Sequence, residues 1–105
     1  MGYYTNYNLT VDSDNSESII ADLRERNDNA KYAIGPDGES LQDCKWYDSH
    51  NDLIEFSKLY PEVLFTLYGV GEEFPDIWAA YFLNGKHQSV KAEITFQEFD
   101  KNLLR

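Results

Sequence analysis

The sequence predicts an α+β fold built on a mostly antiparallel sheet. Three observations carry this. Residues 3–11 alternate with period two, segments of helical spacing separate the strand-like runs, and Asn84-Gly85 sits between two alternating runs. The chain has 105 residues, which sets one domain, 1–105. Lys plus Arg total 9 and Asp plus Glu total 19, a formal net charge of -10. Hydrophobic residues make up 42% and aromatic residues 15%. Aromatic side chains bury large areas, so this composition predicts a folded chain despite its charge.

Each element follows from its pattern. Tyr3, Thr5, Tyr7, Leu9 and Val11 share one face of a first strand, with Tyr4, Asn6, Asn8 and Thr10 on the other. Asp14 and Glu17 have capping-box spacing ahead of a helix over 15–27 that carries Ile19, Ile20 and Leu23. Asp22, Arg24, Glu25 and Arg26 fall on its solvated side. Residues 32–34 read as a short apolar strand, Gly35-Pro36-Asp37-Gly38 as a turn, and 41–47 as a returning strand with Gln42, Cys44 and Trp46 on one side, the two segments pairing as an irregular hairpin. Ser49 and Asp52 are cap candidates for a second helix through Leu53, Ile54, Phe56, Leu59 and Tyr60, which Pro61 stops. The nearly continuous apolar run 63–69 predicts a central strand. A loop over 69–75 leads to a strand at 77–83, the Asn84-Gly85 type I′ turn, and a strand at 88–96. Phe99, Leu103 and Leu104 predict a short helix or a strap across the sheet.

The first six elements match the split β-α-β order of a ferredoxin-like fold. The expected architecture is therefore a ferredoxin-like, mostly antiparallel sheet with two helices on one face and an additional C-terminal β-hairpin. The other sheet face is left for the strap, a second copy or a foreign protein.

Composition also bears on function. A net-negative chain lacks the basic surface that nucleic-acid affinity needs, so no direct nucleic acid binding is expected. No apolar run is long enough to span a membrane, and residues 1–6 lack the pattern of a signal peptide. The one cysteine, Cys44, excludes an intrachain disulfide and fits a reducing compartment, which gives an expected cytoplasmic location. A buried structural thiol is the ordinary reading of Cys44, because no neighbouring base is visible to activate it.

The remaining polar motifs are weak. Glu72, Glu73 and Asp76 crowd one loop, where oxygen ligands could hold a hard cation, but their spacing is not that of a calcium loop. Gly69-Val70-Gly71 lacks the Lys-Ser or Lys-Thr of a phosphate cradle, and the glutamates beside it repel phosphate. His50 and His87 fit no standard zinc spacing. No catalytic residue, metal or cofactor is assigned on these grounds. The candidate partner-binding set is Trp46, Tyr47, Glu72, Glu73, Asp76 and Trp78. Trp and Tyr dominate binding hot spots, and acidic residues steer toward basic partners; core packing is the other reading of each Trp, and solubility the other reading of the charge.

The opening Gly2-Tyr3-Tyr4-Thr5-Asn6-Tyr7 resembles the start of small proteins encoded by bacteriophages and prophages. Trp46-Tyr47-Asp48, the run 59–65, Ile77-Trp78 and the stretch 81–86 are similar too. More distantly the chain resembles the Api92-like phage and plasmid proteins. There a Trp-containing strand precedes a helix ending in an aromatic-Pro pair and then an apolar strand; here those positions are Trp46, Tyr60-Pro61 and 63–67. The resemblance implies a ferredoxin-fold origin and carries no catalytic motif. The expected function is that of a small acidic phage accessory protein acting by protein–protein interaction. Its expected target is a basic host protein, such as a host-defence protein that it inhibits. The alternatives are a small-ligand or metal-dependent enzyme using loop 69–76, and a structural homo-oligomer.

Overall fold

A computed structural model describes residues 2–105. The sheet has four antiparallel strands, β1 (Thr5–Asp12), β2 (Leu64–Gly71), β3 (Ile77–Leu83) and β4 (Lys86–Lys91), in the order β1-β2-β3-β4. Among the described residues, the three α-helices lie between β1 and β2 in sequence, α1 (Ser16–Arg26), α2 (Asp28–Ala33) and α3 (Ser49–Ser57), and one 3-10 turn, Lys101–Leu103, follows β4. The α+β class and the antiparallel sheet are as expected.

Alternation sets the core. Tyr7, Leu9 and Val11 of β1 point to the helix side, as do Phe65 and Leu67 of β2 and Ala80 and Phe82 of β3. Ile19, Ile20 and Leu23 of α1 and Leu53 and Phe56 of α3 close over them. β2 is central, as its apolar run predicts, because both of its edges are paired. The Asn84-Gly85 turn forms between β3 and β4, with φ of 48° and 80°. Positive φ at both positions is what a type I′ turn requires, and Asn and Gly tolerate it best.

Several local expectations change. Residues 32–34 and 41–47 are not regular strands. Their pairing is reduced to the isolated bridges Ile34↔Ser40 and Thr5↔Cys44. Residues 38–44 still run along the outer edge of β1, where Leu9 N donates to Gly38 O at 2.8 Å and Thr5 and Cys44 exchange two backbone bonds. That segment covers an edge that would otherwise template aggregation.

Residues 28–33 form a third helix instead of leading into a strand. Asn27 closes α1 with its backbone N–H and opens α2 with its side chain, whose Oδ1 accepts from Ala30 N at 3.0 Å. Neither expected cap forms, at Asp14 or at Ser49: the N-caps of α1 and α3 are Asn15 and Asp48, and neither makes a side-chain bond. The last strand ends at Lys91 rather than Phe96. Ala92 N still donates to Ile77 O, but Pro75 and the turn-bonded Asp76 precede β3 and leave residues 93–96 without a neighbour.

Trp46 locks this arrangement. It is fully buried, with its ring edge-on to Tyr7 at 5.4 Å between centroids. Its indole Nε1 donates to Asp52 Oδ2 at 2.7 Å, and Asn27 Nδ2 donates to the same oxygen at 2.9 Å. A hydrogen bond to an ionised group contributes roughly 1.5–3 kcal/mol. Asp52→Ala is therefore expected to destabilise the fold by about 2 kcal/mol or more, since it strands two donors. Asp48→Ala, which removes no side-chain bond, is expected to stay within about 0.5 kcal/mol of the parent. Urea unfolding of the two variants checks this ordering.

Candidate functional site

Three pieces of chain meet at one corner of the sheet. The N-terminal segment runs into β1, Tyr47 precedes α3, and residues 72–76 join β2 to β3. Tyr3 ties them together. Its backbone N–H donates to Tyr47 Oη at 2.9 Å, and its phenol donates to Asp76 Oδ2 at 2.6 Å. The same phenol oxygen accepts from Glu73 N at 3.2 Å. Tyr4 N donates to Glu72 Oε1 at 2.7 Å, and Lys45 Nζ sits 5.1 Å above the Tyr4 ring. The hydrogen bond to Asp76 raises the Tyr3 phenol above its ordinary range.

The corner gathers much of the expected set. Glu72, Glu73 and Asp76 are held there by the bonds to Tyr3 and Tyr4. Tyr47 is 68% exposed, with its ring in solvent. Trp46 is corrected: it is fully buried and presents nothing to a partner. Its place one residue before Tyr47 puts the two on opposite sides of the chain, and the Asp52 bond fixes which side goes inward. Trp78 is half-buried on the helix side of the sheet, edge-on to Tyr7 and tilted against His50 at 5.0 Å. Sequence reasoning missed Phe74, which is 78% exposed at the loop tip. The available signal was an aromatic residue placed between Glu73 and Pro75 in a polar loop. It also missed Tyr3 as the tie, because nothing in the spacing links residue 3 to residue 76.

Gly69 makes room for Trp78. A Cβ at Gly69 would collide with the indole ring, so close approach of backbone and ring explains the glycine. Trp78, His50, Ser89, Lys91 and Asp76 line a shallow cleft of ≈ 350 Å³ beside the corner. His50 packs on Trp78, Phe82 and His87, with His87 at 6.1 Å between centroids. Burial holds the His50 imidazole below its ordinary range, and the nearby His87 adds to the effect. Ser49 Oγ lies 3.3 Å from His50 Nδ1, but Ser49 is buried and has no access to a substrate. Cys44 is buried as expected, and burial pushes its thiol up, away from the reactive thiolate.

Among the described residues no group of three or more His, Cys, Asp and Glu side chains could hold a metal ion. Glu72 and Asp76 are each engaged with a different tyrosine. No helix of the described residues is long and apolar enough to cross a membrane. Comparison of the chain with protein-family models, curated proteins and solved structures finds no match.

Gly69→Ala is expected to cost about 1–3 kcal/mol, as over-packing against a rigid ring does. Urea unfolding followed by tryptophan fluorescence checks it. The His50 shift has a defined sign. Its unfolded pKa is about 6.5 and its folded pKa is lower, so its stabilisation is complete above about pH 6.5. That stabilisation is lost as pH falls through the folded value. His50→Phe keeps the aromatic packing and is expected to lose less stability than the parent between about pH 7 and pH 5. Thermal melting across that range provides the comparison.

Proposed function

We propose that the chain is an acidic protein-interaction module that docks this corner onto a basic surface of another protein. The observation that carries the reading is the exposed pair Phe74 and Tyr47 set among Glu72 and Glu73, in a chain of net charge -10. An aromatic anchor inside a charged rim is the usual make-up of an energetic contact. The acidic field would speed encounter with a basic partner and disfavour anionic ones. In the phage reading that the sequence resemblance suggests, the partner is a basic host-defence protein inhibited in the host cytoplasm. The action is binding and involves no catalysis.

The architecture belongs to the same reading. We infer a ferredoxin-like fold in which 32–34 and 41–47 are strands reduced to bridges and β3–β4 is the added hairpin. The Ile34↔Ser40 and Thr5↔Cys44 bridges support it, as does the run of 38–44 beside β1 on the edge opposite β2.

Affinity capture from host lysate tests the function with three baits: parent, Phe74→Ala, and the double reversal Glu72→Lys with Glu73→Lys. A protein captured by the parent is expected to bind Phe74→Ala roughly 30-fold more weakly, about 2 kcal/mol. Its association with the charge-reversed bait is expected to slow about tenfold at low salt, and added salt is expected to narrow that gap. Absence of capture, or capture that none of these changes alters, contradicts the proposal.

A further inference from the structure

The sheet face opposite the helices is apolar where an open face is ordinarily polar. On β1 it carries Asn6, Asn8, Thr10 and Asp12. Across β2, β3 and β4 it carries Tyr68, Val70, Tyr81, Leu83 and Val90, all exposed, with Thr66, Lys86 and Gln88 as its polar members. Thus one half of the face is finished for water and the other half is not.

Residues 92–105 are the second unfinished element. Ile94, Phe96, Phe99, Leu103 and Leu104 are all exposed, Phe96 at 89%. Ala92, Ile94 and Phe96 continue the alternation of Val90, so this segment has strand character and lacks only a neighbour. The molecule measures 54 × 35 × 22 Å, with a radius of gyration of 16.2 Å, against about 13 Å for a compact chain of this length. Its surface of 7503 Å² exceeds by about 1,500 Å² the roughly 6,000 Å² of a compact monomer.

We propose that these two elements belong to one interface: two copies of this chain exchange residues 92–105, each tail covering the apolar half of the other's open sheet face. The chain's own tail is poorly placed for the role. It starts where Ala92 N donates to Ile77 O, at the first residue of β3. Reversal would have to occur within 93–99, ahead of the one turn at Lys101–Leu103, and that stretch holds no glycine, proline, asparagine, aspartate or serine to turn on.

A second copy meets the requirements. Exchange is reciprocal, so the contact closes as a two-fold dimer and leaves no open end. The excess surface of each copy is ample for a standard interface, which takes about 800 Å² from each partner. Charge agrees as well. The tail is acidic in Glu93, Glu98 and Asp100 ahead of Lys101 and Arg105, and Lys86 of the edge strand β4 lies on the open face beside Leu83.

Sedimentation equilibrium across a concentration series tests the exchange with three proteins: the parent, a tail variant Phe96→Asp with Phe99→Asp, and a face variant Tyr68→Asp. Circular dichroism confirms that each is folded, and both sites are exposed and outside the core. The parent is expected at twice the chain mass and each variant at the chain mass. Mixing the two variants then decides the geometry. The mixture has one intact tail and one intact face that fit each other, so association is expected to return in part. A monomeric parent, a dimer that either variant leaves intact, or a mixture that stays monomeric overturns the proposal.

Discussion

One carboxylate oxygen joins three parts of the chain that lie far apart in sequence or on different elements. Asp52 Oδ2 accepts from the Trp46 indole and from the Asn27 amide. Asn27 joins α1 to α2, Trp46 lies under the sheet against Tyr7, and Asp52 sits in the first turn of α3. The bond therefore ties α3 to the α1–α2 junction and to the buried indole of Trp46. Asp52 is turned inward on Trp46, where the positive end of the helix still favours its charge.

The same constraint shapes the surface. With Trp46 fixed inward, Tyr47 must face out, where its hydroxyl accepts the backbone N–H of Tyr3. Tyr3 in turn holds Asp76, and Glu72 holds Tyr4. The acidic corner is thus braced from both sides, and Phe74 stands exposed at its tip. On the other side of α3, His50 packs on Trp78, for which Gly69 clears the space. A core hydrogen bond and a surface feature are linked through a few short contacts. The two edges of the sheet are treated differently. Residues 38–44 cover β1, while β4 stays open beside an apolar face and an unpacked tail.

The strands were the most legible part of the sequence, because alternation and the Asn84-Gly85 turn are local signals. The overlong last strand shows the limit of such signals. Its alternation runs to Phe96, but strand length is decided by the partner, and β3 supplies no neighbour beyond Ile77. The missed helix α2 is a related case. Its cap, Asn27, reads as the end of one helix and not also as the start of another. Acidic residues at capping spacing misled twice, since Asp14 leaves the α1 N-cap without a side-chain bond and Asp52 turns to Trp46. At the corner, the acidic residues and Tyr47 were visible from residue type alone. Trp46 was not, because its inward orientation depends on Asp52 and Asn27, far apart in sequence. Tyr3 and Phe74 depend in the same way on contacts that no spacing encodes.

Hydrogen exchange at the two indole N–H groups, followed by NMR, reaches the central interaction directly. Trp46 Nε1–H is bonded and buried, so it is expected to exchange only when the whole fold opens, at the pace of the slowest β2 amides. Trp78 is half-buried, and its indole is expected to exchange much faster. A Trp46 N–H that exchanges as fast as that of Trp78 would contradict the role of Asp52 as the anchor of the three helices.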